Sequence, residues 1–410
     1  MLAQKTQTNT TTTTTAQPPA GLSQPTVFFA LASEGMGHAT RAAPLIDALR
    51  QRGYRVEVFC GGRVAAFLRT RVGHVHEHFF IPLHYTNNQL DIFKSFKSAI
   101  ARLGPCLREA WSLFWRMRKE KPVAVVSDFE FMSAWLGWWS GTPVIAVDNM
   151  HLITHGAMPE PPTKQARKEK KDIARAIWWN QPVVDKILIT CFWQPGLKAG
   201  VNASKVRFVP CAARPEVLAR RHRTRTDGPV LVYQTSSTNH DLPGTLQKAG
   251  ELAGLKFVVY GAGRPACVEG AVEYRAFSES GFLDDLAASP FCIVNGGHST
   301  MVEALALGKP VLSEPIQKQY EQQANAVGLE TLGVGKGVSK MTVEAIVDFA
   351  KRAPAMRERA AEMSHVVDNA GLADAVEECL RELDPVRALP ARQATVTALV
   401  VDDDYALAAE

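Results

Sequence analysis

A histidine beside two glycines lies in the stretch EGMGHATR, residues 34–41. An apolar run precedes the stretch and a helical pattern follows it, so His38 is predicted to lie where a strand gives way to a helix. Gly35 and Gly37 would let backbone amides approach a ligand closely. The positive end of the helix favours a neutral imidazole that can accept a proton. The pattern indicates general-base catalysis, with a capping or packing histidine as the structural alternative.

A carboxylate that could orient this histidine ends another predicted strand. In the run VVSDF, Asp128 stands at the carboxyl end, and the ligands of parallel sheets bind outside these ends. A carboxylate bonded to an imidazole orients the ring and stabilises its protonated form. The sequence therefore predicts a His38–Asp128 pair, with a turn or N-cap aspartate as the alternative.

A second polar cluster begins where a predicted strand opens directly into the helical pattern MVEALALG. Glu303 lies one turn into that helix and suits a ribose diol, and Glu321, Gln322 and Gln323 could hydrogen-bond sugar hydroxyls. Free amides and small hydroxyls at a helix N-terminus suit a diphosphate. The residues of this helix start are Asn295, Gly296, Gly297, His298, Ser299 and Thr300.

Strand-like apolar runs alternate with longer helical patterns in both halves of the chain. The first half has TVFFALA, VEVFC, VAVVSDF, PVIAVDN, KILITCF and KVRFVP, and the second has VLVYQT, KFVVYG, VEYRAF, FCIVNGG and PVLSEP. This βαβ rhythm predicts an α/β protein of two Rossmann-like, doubly wound domains that face a central cleft.

A basic, turn-rich stretch between the two rhythms sets the predicted boundaries. Residues 26–212 would form the N-terminal domain, 213–228 the linker and 229–383 the C-terminal domain. The Thr-rich tract 1–25 is predicted to be disordered because it is too polar to bury a core, and 384–410 is predicted to be a flexible tail.

Composition narrows the class of protein. A net charge of +5 with 46% hydrophobic residues fits a soluble enzyme and is too weakly basic to indicate a nucleic-acid partner. Seven scattered cysteines without CxxC spacing indicate a reducing compartment and no zinc site. No apolar run is long enough to span a bilayer. The expected location is cytoplasmic, with any membrane contact peripheral and at the inner face.

Together these motifs resemble those of the GT-B glycosyltransferases. The stretch 282–326 is similar to their C-terminal signature, and the resemblance covers most of residues 26–383. It is strongest to the group typified by the lipid-linked N-acetylglucosaminyltransferase of peptidoglycan synthesis and to the UDP-glucosyl- and glucuronosyltransferases. The resemblance implies that His38 and Asp128 form the dyad that deprotonates the acceptor hydroxyl.

The resemblance also assigns donor-binding residues. It implies that Phe282 and Leu283 lie in a loop whose backbone contacts the base, that Glu303 binds the ribose, and that Glu321 and Gln322 hold the sugar. The first loop of the second domain, in VYQTSS, supplies phosphate-side candidates, namely Thr235, Ser236 and Ser237.

The chain departs from the family at the diphosphate. Asn295 stands where the plant and animal enzymes have a histidine, and the histidine of this chain is displaced to His298. The diphosphate could be bound by His298, by the amides of Gly296 and Gly297, or by both.

The resemblance implies an inverting displacement without a metal or a cofactor. His38 would take the acceptor proton while the helix start at 297–301 stabilises the departing nucleotide diphosphate. A UDP-sugar is the favoured donor because the resembling families mostly use one. The carboxylates of 402–404 are typical of a solvated acidic patch.

The expected acceptor is a lipid or a small molecule. His151 and His155 are spaced like metal ligands on a helix, but the sequence offers no third ligand. The aromatic and basic residues of 95–122 could contact a membrane, and core packing explains the aromatic ones equally well. The predicted acceptor-side residues are Gly35, Gly37, Asn149 and His151.

Two other classes stay open. A nucleotide-sugar hydrolase or 2-epimerase can share this architecture, and a requirement for an added acceptor would distinguish a transferase from a hydrolase. A nucleotide-sugar-binding protein without catalysis is the non-enzymatic alternative, against which His38 and Asp128 argue.

Overall fold

A computed structural model describes residues 24–33, 35–77, 103–234 and 241–390, with the backbone of 85–86 and 89–90. Several predictions fall outside these residues. They concern the tracts 1–23 and 391–410 and the phosphate-side candidates Thr235, Ser236 and Ser237.

The first half of the described chain builds a seven-stranded sheet in the order β3-β2-β1-β6-β7-β8-β9. All its strand pairs are parallel. The strands are β1 (Thr26–Leu31), β2 (Arg55–Cys60), β3 (His76–Glu77), β6 (Ala124–Asp128), β7 (Val144–Asp148), β8 (Lys186–Thr190) and β9 (Val206–Val209); β4 (Tyr85–Thr86) and β5 (Gln89–Leu90) pair separately.

Helices cover both faces of this sheet, which explains its near-continuous apolar strands. Alternate residues of β1 divide between two cores: Phe29 packs in the core that contains Leu45 of α1, and Phe28 in the core that contains Met117 of α3. The helices of this half are α1 (Met36–Gln51), α2 (Gly62–Val72), α3 (Leu103–Glu120), α4 (Phe131–Ser140), α5 (His151–His155) and α6 (Lys164–Asn180).

The second half repeats the plan with a sheet in the order β12-β13-β11-β10-β14-β15-β16. Its strands are β10 (Val230–Tyr233), β11 (Phe257–Tyr260), β12 (Cys267–Glu269), β13 (Val272–Tyr274), β14 (Cys292–Val294), β15 (Val311–Ser313) and β16 (Gly335–Gly337). Its helices are α7 (Pro215–Leu218), α8 (Leu242–Ala253), α9 (Glu279–Ala288), α10 (His298–Ala306), α11 (Tyr320–Leu332) and α12 (Val343–Glu362), with 3₁₀ turns at Arg221–Arg223 and Met363–Val366.

The final helix, α13 (Asn369–Leu383), returns to the first sheet. Val376 lies in the core formed by α1 and α2, and Arg207 of β9 donates to Glu378 over 2.7 Å. The described part of the predicted tail also lies on this half, where the backbone N–H of Leu389 donates to the hydroxyl of Tyr54 over 3.3 Å. The range 229–383 therefore contributes a helix to the N-terminal layers as well as building the second sheet.

Each sheet reverses its winding direction at its centre. In the first sheet the reversal lies between β1 and β6, and in the second between β10 and β14. Such a switch point opens a crevice at the carboxyl ends of the strands, where ligands bind. The fold therefore places its two crevices at the loops that precede α1 and α10.

Candidate active site

The first crevice brings His38 and Asp128 together. Asp128 ends β6 and is paired in register with Leu31, the last residue of β1, while His38 lies in the first turn of α1. Nδ1 of His38 is 3.0 Å from Oδ1 of Asp128. The side chain of His38 is 20% exposed and that of Asp128 only 3%. The histidine can therefore be reached from the crevice, whereas the carboxylate is shielded from it.

Arg41 is a third member of this cluster, which sequence analysis missed. Its Nε donates to Oδ2 of Asp128 over 2.9 Å, and its Nη2 contacts the other carboxylate oxygen. The same Nη2 lies 2.8 Å from Nδ1 of His38. The spacing was a usable signal, because residues three apart on a helix share a face and Arg41 follows His38 at that interval.

The charges of this cluster decide which nitrogen of His38 can act as a base. Burial raises the pKa of Asp128, but Arg41 and His38 outweigh it and lower the value to about 2. Nδ1 can donate to Asp128 or accept from Arg41, but not both. Because an ionised carboxylate is the stronger partner, we assign the proton to Nδ1, which leaves the lone pair of Nε2 to accept a proton.

The N-termini of α1 and α10 meet across the cleft. Oγ of Ser299 donates to the backbone oxygen of Gly37 over 3.0 Å. A Cβ on Gly37 would lie only 2.8 Å from that Oγ, so a side chain there would displace the Ser299 hydroxyl. Gly35 has a φ of 86°, a conformation that also favours glycine. Two positive helix ends thus face one region, which suits an anion.

His298, at the start of α10, is the buried polar group of this region. Its exposed fraction is 4%, its ring stacks on Phe192 with centroids 5.7 Å apart, and Nδ1 has no hydrogen-bond partner among the described residues. Burial, together with the charge of Arg41, lowers the pKa of His298 to about 3. The imidazole is therefore neutral at physiological pH, and its unpaired nitrogen calls for a ligand or a water.

Asn295 has a different environment from His298. Its Nδ2 donates to Oε1 of Gln234 over 2.7 Å, which ties the ends of β10 and β14 together. Gly296 has a φ of 148°, and a Cβ there would lie 2.8 Å from Cβ of Gln322. Gly297, the exposed N-cap of α10, leaves its amide accessible. The candidates for diphosphate contact are then His298 and the helix-start amides rather than the Asn295 side chain.

Residues 26–354 match the protein family described as Glycosyl transferase family 1. The chain belongs to this family. A relative, an uncharacterized glycosyltransferase of Methanosarcina mazei, is 41% identical over 76 residues, which cover 18% of this chain and 20% of that protein. The match to this curated relative thus spans about a fifth of its length.

Two solved glycosyltransferase structures resemble the whole fold of this family member. MurG of Acinetobacter baumannii has a TM-score of 0.54 at 16% identity, covering 86% of this chain and 100% of that one. UGT2 of Phytolacca americana has a TM-score of 0.59 at 15% identity, covering 86% and 99%. The predicted two-domain GT-B architecture and the predicted family resemblance are confirmed.

Glu303 of this glycosyltransferase, the predicted ribose ligand, is paired with a linker residue that the sequence did not reveal. Nε and Nη2 of Arg214 donate to its two oxygens, each over 2.7 Å, and Nη1 of Arg214 donates to Glu279 over 2.9 Å. Burial raises the pKa of Glu303 and Arg214 opposes the rise. Each carboxylate oxygen accepts two hydrogen bonds, so the paired Glu303 retains capacity for two hydroxyls.

The predicted base-reading loop is instead a helix. Phe282 and Leu283 lie inside α9, where the backbone N–H of Phe282 donates to Ser278 over 2.8 Å. Their side chains are buried, and Phe282 packs edge-on against Tyr233 and Tyr260. The backbone N–H of Phe282 is thus used within α9, and base contacts from Phe282 and Leu283 stay a prediction.

The predicted sugar-binding residues differ in what they contact. Oε1 of Glu321 accepts from Asn149 Nδ2 over 3.2 Å, which joins the donor side to the acceptor side of the cleft. Gln322 holds its own loop, since its Oε1 accepts from the backbone N–H of Ile316 over 2.9 Å. Gln323 donates to Glu169 of α6 over 2.8 Å. Of these residues, Glu321 is the one that the structure places with an acceptor-side residue.

A second Asp–His pair lies at the end of β7. Nδ1 of His151 is 2.9 Å from Oδ2 of Asp148, and the two side chains are 3% and 0% exposed. The ring of His155 lies tilted beside that of His151, with centroids 5.5 Å apart. Because His38 is several times more exposed than His151, His38 is the histidine of the two pairs that a substrate can reach.

Proposed function

We propose that this glycosyltransferase moves a sugar from a nucleotide-diphosphate sugar, a UDP-sugar, to a hydroxyl of a lipid or small-molecule acceptor. The transfer inverts the anomeric carbon, and His38 is the base. The observation that carries the proposal is the contact of Ser299 with Gly37, 3.0 Å across the cleft. This contact brings the helix that carries the candidate base to the helix start that suits a diphosphate.

The proton movement follows from the His38–Asp128 pair. The acceptor hydroxyl gives its proton to Nε2 of His38 as its oxygen attacks the anomeric carbon. The imidazolium that forms keeps its Nδ1–H on Asp128, a carboxylate that stays ionised because its pKa is about 2.

The leaving group departs on the opposite side of the anomeric carbon. The bond from that carbon to the diphosphate oxygen breaks as the acceptor bond forms, which gives inversion in one displacement. The negative charge develops toward the amides of Gly297 to Thr300 and toward Nδ1 of His298. Helix-end amides and a buried donor supply this stabilisation without a metal in the proposed mechanism.

The choice of UDP has two supports. The Phytolacca americana enzyme, of the same fold, was solved with UDP-2fluoro-glucose. Glu303 keeps two acceptor positions for a ribose diol while Arg214 fixes its orientation.

The proposed location is cytoplasmic, which the seven free cysteines support. A lipid acceptor would add a peripheral position at the inner membrane face.

The test is a panel of nucleotide sugars incubated with and without lipid and phenolic extracts, with the release of nucleotide and the masses of products recorded. We expect nucleotide release that depends on an added acceptor and yields a glycosylated product of inverted configuration. Nucleotide release without an added acceptor would indicate a hydrolase. Conversion of the donor sugar to an isomer would indicate an epimerase. Donor binding with no turnover under any condition would contradict catalysis.

A further inference from the structure

An unusual surface of the first domain is rich in exposed tryptophan. Six of the eight tryptophans are between 49% and 65% exposed, although a large aromatic ring is normally buried. We call them the tryptophan face: Trp111 and Trp115 of α3, Trp138 and Trp139 of α4, and Trp178 and Trp179 of α6.

The three helices that carry the tryptophan face lie side by side. Nη1 of Arg118, at the end of α3, donates to the last carbonyl of α4, at Ser140, over 3.4 Å. Nε1 of Trp135, in α4, donates to the carbonyl of Trp179, at the end of α6, over 3.1 Å. The ring of Trp135 also lies 5.9 Å from that of Trp138. These contacts link α3 to α4 and α4 to α6.

Positive charge accompanies the aromatic rings. The three helices together carry ten Lys or Arg residues and four Asp or Glu residues, a larger excess than the 46 against 41 of the whole chain. Helical spacing places Lys168, Lys171 and Arg175 on one stripe of α6 that ends at Trp178. On α3, Arg118 follows Trp115 at the same kind of interval. The face therefore combines amphipathic rings with cationic side chains.

We propose that the tryptophan face docks the protein onto the surface of an anionic lipid bilayer. Tryptophan favours the membrane interface, where its ring contacts acyl chains and its N–H reaches the headgroups. Lysine and arginine beside it complement anionic headgroups. A protein partner would be expected to leave the face less cationic, since interface cores are depleted of lysine. Among the described residues, no helix has the length and apolar character to cross a bilayer.

Docking by this face leaves the cleft accessible. Asp128 marks the carboxyl edge of the sheet, where the candidate base lies, and α4 and α6 run back from that edge. Trp139 and Trp179 therefore lie toward the opposite, amino edge. A bilayer that contacts these helices covers one face of the first domain and leaves the crevice open beside the membrane. The inference stands on the surface alone and does not depend on the proposed sugar transfer.

The experiment is co-sedimentation of the full chain with vesicles of phosphatidylcholine, alone or mixed with phosphatidylglycerol. We expect binding to the mixed vesicles, with a shift of tryptophan emission to shorter wavelength. Trp178→Gln/Trp179→Gln should lower the partition coefficient roughly tenfold or more, and so should Lys168→Gln/Lys171→Gln, since each surface charge contributes on the order of a fewfold change.

Matched controls separate docking from general effects. Leu252→Gln/Val268→Gln removes two exposed apolar side chains of the second domain, and Lys248→Gln/Lys351→Gln removes two exposed charges there. Both should sediment like the unmodified chain, and circular dichroism should be equal in all five proteins. Absence of vesicle binding, or equal losses in the controls, would overturn the proposal. A tryptophan variant that only changes the oligomeric state, measured by analytical ultracentrifugation, would assign the face to a second copy of the chain instead.

Discussion

Nη2 of Arg41 lies 2.8 Å from Nδ1 of His38, the nitrogen that is also 3.0 Å from Asp128. The arginine therefore does more than neutralise a buried carboxylate. It limits the histidine to two hydrogen-bond states, one with Nδ1–H on Asp128 and Nε2 free, the other with Nδ1 accepting from Arg41 and the proton on Nε2. Only the first state can deprotonate an acceptor, and it requires an ionised Asp128.

Arg41→Met should raise the pH at which the carboxyl of Asp128 protonates. Without the guanidinium, burial raises the pKa of Asp128 above its present value of about 2, so the carboxyl protonates and stops orienting His38 at a higher pH. Loss of a neighbouring opposite charge shifts a carboxyl by about one to three pH units. The measurement is an NMR titration profile of the Asp128 carboxyl carbon against pH.

Arg41→Lys is the matched control because it keeps the positive charge and loses the forked donor geometry. The lysine variant should show a smaller shift than the methionine variant. Identical profiles for Arg41→Met and the unmodified enzyme would mean that Asp128 ionisation does not depend on Arg41.

His298→Ala should weaken donor binding by roughly ten- to hundredfold, the loss expected for a hydrogen bond to a charged group. Because the pKa of His298 is lowered to about 3, the imidazole binds as a neutral donor. The ratio of the two affinities should then stay constant between about pH 5 and about pH 8. Calorimetric titration with a nucleoside diphosphate at several pH values measures the loss of affinity and its dependence on pH.

A ratio that grows steadily toward acid pH would show instead that a charged imidazolium holds the phosphates. His365→Ala is the control, since this exposed histidine bonds the nearby carbonyl of Glu362, and it should leave donor affinity unchanged.

The positions of the central strands could be predicted because their apolar, β-branched runs have sharp ends. β16 could not, since its sequence, Gly335–Gly337, has no apolar pattern and is a strand only through its pairing with β15. Helix α9 carried a signal that the family resemblance obscured: Ser278 caps it by accepting from the backbone N–H of Gly281 over 3.2 Å.

Site residues that follow the ends of strands could be predicted from the sequence. Pairs of residues that the fold brings together from distant segments could not. His38 and Asp128 follow β1 and β6, whose neighbouring positions a doubly wound sheet requires. Arg214 and Glu303 are 89 residues apart, in a linker and a helix, so their pairing has no local pattern. The hydrogen bond from Asn295 to Gln234 likewise joins two distant segments, so no local pattern could predict it.

Arg214→Met should destabilise the protein by about 3–5 kcal/mol near neutral pH, because it leaves the buried Glu303 charge without a partner. The pKa of Glu303, already raised by burial, rises further in the variant. A carboxyl with a raised folded pKa lowers stability when it must ionise, so the deficit should shrink as the pH falls from about 7 to about 5. Urea denaturation at both pH values measures it.

Arg214→Met/Glu303→Gln should recover part of the lost stability because no buried charge remains. Arg225→Met, which removes a surface pair with Asp227, should cost less than about 1 kcal/mol. A deficit in Arg214→Met that is the same at both pH values would show that packing, rather than the charge of Glu303, is responsible.

The most direct test of the central claim compares His38→Ala with the unmodified enzyme in two assays, the rate of sugar transfer to an added acceptor and the affinity for the donor. If His38 is the base, the rate falls by roughly 10²- to 10⁴-fold while the donor dissociation constant stays within about twofold, because the proposed donor contacts lie in the second domain. Transfer by His38→Ala at a rate near that of the unmodified enzyme, with donor binding intact, would contradict the assignment of His38 as the catalytic base.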